Sequence, residues 1–521
     1  MKRSLIYTLM AGAMAMGFSG CTDELEISQH GVLNYETYYQ TDEDAQAAAA
    51  AIYLQMRGLA YNYLIAKNCL TDDFYAAGGG RNDNADFEQL NEFTFTPNQN
   101  LLQGMFESYY QIIYKANVVL GHVGEDSETK LRCRAEARVF RAFANFELTT
   151  LWGNPPVVDH ELNSSEYSRP NGSTEELWAL IESDLKEAIE SGALKSKTSV
   201  NDKDTWQVTK EFAEALLGKA YLWQGKNAEA AAEFEKVIGS GLYDLYSDYE
   251  NVIQVSAKNN CESLFETVRV YDKENVFDNW DFCGAMLRWR LDKMEMTDEF
   301  KAVFGTSQNY GFLAPTKDLY DAFVAEEGEN GYRLNATMKT YDQMRNIGMS
   351  LIVGQSVINE GYFMWKWRSG IDSCPSEGYG FCYTNNFRWM RLAEVYLLAA
   401  EANLAAGNQT KCDEYMNRVR TRAQVATKSG YTLADIQNEK RLELCGESVR
   451  FQDLVRWGLA YDKLKSNGAR CPQLQSNGEV TYVTYNNDVN KFGFKQGKHE
   501  HLPYPETEIE LNSAIEQNPG W

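Results

Sequence analysis

Apolar and polar positions follow a helical period over most of this chain. The spacing of Ala, Leu and Tyr predicts a helix over 42–67, with Asp42 or Asp44 as its cap. Helical patterns return at 104–120 and 128–151, where Trp152-Gly153-Asn154-Pro155-Pro156 forms a sharp stop. A Thr cap and an acidic first turn predict a helix over 174–191. Residues 71–99 read as a loop, with three consecutive glycines and many Asn and Asp. Between about 243 and 388 the helical period weakens and Trp, Tyr, Asn and Gly accumulate. Trp365 and Trp367 there alternate around Lys366 as in a half-buried strand, with at least one of them in the core.

A repeat emerges from the helical stretches. Leu217, Gly218, Tyr221, Ala230 and Phe234 fall at the tetratricopeptide offsets L-G-x2-Y and A-x3-F, so small residues let two helices approach over aromatics. Residues 391–423 have the same shape, with Gly407 at the turn. The predicted fold is mainly α: a degenerate tetratricopeptide-like helix-pair scaffold with a loop-rich, aromatic-rich subregion packed on it. The scaffold is expected over about 36–240 and 388–465, the loop-rich subregion over about 243–388, and a C-terminal segment over 466–521. Aromatics make up 13% of the chain, which argues that the loops are ordered and supply a binding surface.

The first 21 residues, MKRSLIYTLMAGAMAMGFSGC, have a basic start, an apolar run and small residues before one cysteine. Residues 1–20 read as a signal peptide too short to span a bilayer, and Cys21 at the junction resembles the acylated cysteine of a bacterial lipobox. An ordinary signal peptide with a coincidental cysteine is the alternative. Phe18 stands where Leu is commoner. The single domain then covers 21–521.

The formal charge is −24, and removal of Lys2 and Arg3 with the leader takes it to about −26. Such a surface repels phosphate backbones and argues against nucleic acid as a partner. Acidic polymers are disfavoured too, unless a local basic pocket overrides the global field. With Cys21 set aside, nine cysteines remain, an odd number without zinc spacing. Cys374 and Cys382 flank a loop and either bridge or stay as two thiols.

No catalytic motif stands out. The five histidines form no HExxH, and there is no GxSxG elbow, P-loop or GxGxxG after a strand. Gly78–Gly80 followed by Arg81, Asn82, Asp83, Asn84 and Asp86 lacks the fixed positions of a calcium loop and reads as a solvated turn. Glu439, Glu443 and Glu447 with Lys440, Arg441 and Arg450 have helical spacing and read as structural ion pairs. The expectation is therefore a protein that is not an enzyme, with no metal and no cofactor.

Four segments in order resemble the SusD/RagB family of outer-membrane nutrient-binding lipoproteins, named for a starch-utilisation system. They are RAEARVFRAFANFELTTLWGNPPVV (134–158), RWMRLAEVYLLAAEANLAAG (388–407), EKRLELCGESVRFQDLVRWG (439–458) and the terminal LPYPETEIELNSAIEQNPGW. Trp521 where Tyr is common, and Cys445-Gly446 inside the third segment, are departures. The residues themselves read as scaffold: Arg134, Glu136, Arg138 and Arg141 flank a stripe of Phe140, Phe143 and Phe146.

The resemblance implies a surface-exposed lipoprotein of the cell outer membrane that binds an oligosaccharide or polysaccharide, and the acidic charge of the chain favours a neutral one. Its implied partner is a SusC-like TonB-dependent transporter, and the acidic TDELE after Cys21 resembles the family's export signal. A peptide-capturing, RagB-like lipoprotein is the alternative. A surface glycosidase would need a carboxyl pair roughly 5–9.5 Å apart.

A sugar ring needs flat aromatic platforms and charged or amide groups at the rim. Trp280 and Trp289, among Asn279, Asp281 and Arg288, are the first candidates, although either could be core. Phe74 and Tyr75, beside Asp72 and Asp73 and ahead of Arg81 and Asn82, come next, with Asp72 alternatively a turn cap. Arg368 and Tyr379 are third.

Overall fold

The computed structural model describes residues 38–76, 78–272, 274, 283–306, 309–373 and 383–521. Over these residues the chain is mainly α, with long helices at both ends of the core and short strands between them. Cys21, Trp280, Tyr379 and the Cys374–Cys382 pair lie outside the described residues. No described helix is long and apolar enough to cross a membrane.

The first helix runs Asp42–Cys69, and its cap is Thr41 rather than Asp42 or Asp44. The Thr41 hydroxyl accepts from the Asp44 amide while the Asp44 carboxylate accepts from the Thr41 amide, a reciprocal box that an Asp at 42 could not close. The helix Thr174–Glu190 is corrected in the same way. Ser173 is its cap and pairs reciprocally with Glu176, so Thr174 is its first helical residue.

Helices Asn100–His122 and Glu128–Trp152 pack on the first helix, and Phe140, Phe143 and Phe146 are buried between layers. The flanking arginines bind neighbouring segments: buried Arg141 to Asp184 at 2.7 Å, Arg138 to Glu187 at 2.7 Å and Arg134 to Glu125 at 2.8 Å. The tetratricopeptide pattern forms the helix pair Lys210–Trp223 and Asn227–Gly239. A Cβ on Gly218 would meet the Phe234 ring at 2.8 Å, so only glycine permits this approach. Leu392–Ala405 and Gln409–Arg422 form the second pair, joined through Gly407 in a left-handed conformation.

The segment read as loop at 71–99 contains a two-residue strand, Phe74–Tyr75, and a helix, Ala85–Glu92, capped by Asn84. The region of weak helical period is also more ordered than its pattern suggested. It holds antiparallel pairs such as Ser263–Thr267 with Phe387–Arg391, and Met338–Thr340 with Tyr362–Met364. The second pair is only three residues long and Ser263–Thr267 is buried along its whole length, so neither shows two-residue alternation in the sequence.

A buried ion-pair network fastens this region to the helices. Arg391 binds Glu262 at 2.6 Å, Glu443 at 2.7 Å and Glu447 at 2.7 Å. Arg333 binds Glu327 and Glu439 at 2.6 Å each. Glu439, Glu443 and Glu447 thus pair with residues distant in sequence, not along their own helix, which ends at Glu443. Lys366 is buried against Glu447 and the Glu443 carbonyl, contrary to its place in an alternating strand. Trp365 is buried beside it and Trp367 is half-buried.

Candidate functional site

A cleft of about 520 Å³ opens between the end of the first helix, the helix Lys317–Glu327 and the hairpin Arg470–Gln475/Val480–Thr484. Phe74 pairs with Pro315 and Tyr75 with Ala314 in a short antiparallel ladder. Alternation along that strand buries Phe74 and leaves Tyr75 partly open to the cleft.

Glu360 organises the rings. Its Oε1 accepts from the Tyr482 hydroxyl at 2.8 Å and from the Tyr75 hydroxyl at 3.2 Å, and its Oε2 accepts from the Lys317 amide. The guanidinium of Arg470 lies 4.2 Å from the centre of the Tyr482 ring. Tyr320 and Tyr362 stack at 4.4 Å, and their neighbours Asp321, Glu360 and Tyr482 place the stack beside the same cleft. Burial and Glu360 push the Tyr482 hydroxyl up to about 12, so both bonded phenols stay protonated and donate. The arrangement can offer a ligand aromatic surface, hydroxyls and charged rims without activating any group as a nucleophile.

Asp72 lines the cleft but is committed to the scaffold. Arg450 holds it by two bonds of 2.8 and 3.0 Å. Burial opposes its charge, yet Arg450 and Arg441 bring its carboxyl well below the usual carboxylate range. Asp73 lies beneath, bound by Arg441 at 2.7 Å. Arg81 and Asn82 lie on an adjoining turn, not in the cleft lining. Arg81 binds Glu88 at 2.9 Å and covers Tyr485 at 4.0 Å, and Asn82 adopts a left-handed conformation. Asp83, read as part of a solvated turn, pairs with Arg290 and accepts from the Gly79 amide at 2.8 Å.

Trp289 is a correction. It is 2% exposed and packs edge-on against Phe300 and Phe304 in a separate cluster, so it offers no platform. Its polar sequence neighbours misled because the element carrying it is irregular, and alternation does not hold there. Arg368 lies over Trp365 and donates to the Glu250 carbonyl at 3.0 Å, away from the cleft. The sequence brought out Asp72, Phe74 and Tyr75 of the cleft and missed Lys317, Glu360, Arg470 and Tyr482 of its lining and the Tyr320–Tyr362 stack beside it. Aromatic residues at 320, 362 and 482 were the only signal, and many other tyrosines share it.

A family model described as "SusD family" matches residues 290–521, and one described as "Starch-binding associating with outer membrane" matches residues 32–222. Together they span most of the chain, which belongs to the SusD/RagB family. SusD-like protein P25 of Formosa agariphila is 24% identical, covering 95% of this chain and 94% of its own length. A SusD-like protein of Bacteroides ovatus is 25% identical over 98% of this chain and 97% of its own. Among solved structures, a laminarin-binding SusD-like protein superposes with a TM-score of 0.77 and 28% identity, covering 93% of this chain and 100% of that one. Surface glycan-binding protein A from Bacteroides fluxus shares the fold at a TM-score of 0.73 and 22% identity, covering 92% of this chain and 100% of that one.

Proposed function

We propose that this chain captures an oligosaccharide in the cleft between Tyr75 and Tyr482, without catalysis. The observation that carries the reading is Glu360 holding two phenols beside the Tyr320–Tyr362 stack and the Arg470 guanidinium. Aromatic faces against sugar C–H groups, with charged donors at the rim, are what a glycan requires. A laminarin-binding relative of the same fold and family supports it. The acidic groups of the cleft are engaged by arginines, lysines or phenols, which suits binding rather than hydrolysis.

The chain would be anchored in the outer membrane by lipid on Cys21 and would pass its ligand to a SusC-like TonB-dependent transporter. Acyl chains there would supply the two or more membrane signals that stable anchoring needs. Isothermal titration of the full chain against a panel of oligosaccharides, with Tyr482→Ala in parallel, tests the capture. Binding to one glycan, weakened by the substitution and without product release, is the expected result. Binding of peptides and of no glycan would overturn the reading. Loss of membrane retention in Cys21→Ala tests the anchor.

A further inference from the structure

The charges lining the cleft are not matched in their bonding. Asp72 is held by Arg450 at 2.8 Å, Asp318 by Arg441 at 2.8 Å, Asp321 by Lys317 at 2.5 Å and Asp462 by Lys465 at 2.9 Å. Glu360 accepts from two phenols and a backbone amide. Every carboxylate of the lining is therefore engaged within the protein. Of the cations there, Lys317 is taken by Asp321, whereas the side chains of Arg470 and Lys463 make no hydrogen bond or ion pair among the described residues.

Arg470 is exposed and lies over one ring of the cleft. Its guanidinium lies on the Tyr482 ring, and Glu360 holds that ring by its hydroxyl at 2.8 Å. Stacking occupies the face of a guanidinium and leaves its N–H edge for hydrogen bonding. A planar N–H edge with no acceptor in the protein matches a carboxylate bidentately.

We propose that the cleft recognises the carboxylate of a uronic acid unit, with Arg470 as the reading group and Lys463 adding charge nearby. This rests on the glycan-capture reading and adds to it the class of sugar. It departs from the neutral glycan expected from composition, and the reason is range. The chain's net −24 is spread over its whole surface, and charges beyond about 8 Å are screened at physiological salt. The field that a bound sugar meets is therefore set by the lining itself, where the side chains of Arg470 and Lys463 have no carboxylate partner among the described residues.

The test uses the full chain and matched oligosaccharide pairs on laminari-, cello- and xylo- backbones, each neutral and with one uronate unit. Titration at low salt is expected to show the uronate member binding about tenfold tighter than its neutral counterpart, with the ratio shrinking as salt rises. Arg470→Gln is expected to bring the ratio to within about threefold, and Arg470→Lys to leave an intermediate ratio because charge remains without the fork. Thermal unfolding of each variant confirms that it is folded. Equal binding of both members, or a ratio unchanged in Arg470→Gln, overturns this inference while leaving glycan capture standing. A sulfated member that matches the uronate overturns the carboxylate assignment. Binding of no member of any pair overturns the capture reading and this inference together.

Discussion

Arg441 donates through Nε to the carboxylate of Asp73 at 2.7 Å, across a sequence separation of 368 residues. The same guanidinium reaches Asp318 through Nη2 at 2.8 Å, so one side chain ties the floor of the cleft to its far wall. Arg441→Ala would leave Asp73 buried and uncompensated. A loss of about 3–5 kcal/mol in urea denaturation is expected. A loss below about 1 kcal/mol would show that the clasp is incidental.

The acid limb of stability should reflect the buried network. Burial opposes the charge of Glu447, but Arg391 and Lys366 bring its carboxyl down to about 2. A carboxylate depressed in the folded state contributes stability above its unfolded value of about 4.3 and loses it as pH falls from there towards about 2. Glu447→Gln should flatten the stability profile over that interval. An unchanged profile would remove Glu447 from the acid response.

Glu136 should act with the opposite sign. Burial pushes its carboxyl up to about 7, against the weaker pull of Arg132. The folded state then holds a proton that the unfolded chain has released, so stability falls as pH rises from about 4.5 to 7. Glu136→Gln should be near neutral at pH 5 and stabilising by about 1–3 kcal/mol at pH 8. Equal effects at both pH values would contradict the shift.

Stability and ligand binding should separate between two aromatics. Trp289→Ala removes a buried ring and should cost about 3–5 kcal/mol without weakening glycan affinity. Tyr482 is 41% exposed, so Tyr482→Ala should cost little stability and weaken affinity at least about tenfold. Paired denaturation and titration would read both, and a reversed pattern would move the site to the Trp289 cluster.

Gly218→Ala places a methyl group within 2.8 Å of the Phe234 ring. Overpacking of this kind should cost about 1–3 kcal/mol, measured by thermal unfolding. A neutral result would mean that the helix pair slides apart to accommodate it.

Long-period elements were legible in the sequence because each was set by residues close in the chain. The helix pairs at 210–239 and 392–422 could be placed from small and aromatic residues at fixed offsets. The caps fall one to three residues before the expected positions, and the local signal for them is the capping-box spacing of Thr41 with Asp44 and of Ser173 with Glu176. Tyr75 was recognised beside its acidic neighbours, whereas Tyr482 and Glu360 were not, because 407 and 285 residues separate them from it.

The sequence by itself determined the family, the mainly helical architecture and the absence of a catalytic motif, since local periodicity and motif order carry all three. Only the tertiary structure decided which aromatics line the cleft, that Asp72 and Asp73 are held by arginines, and that the Arg470 side chain has no carboxylate partner among the described residues. Burial and ion pairing depend on which distant segments meet. Arg450 finding Asp72, and Glu360 finding Tyr482, are consequences of packing that no local window contains.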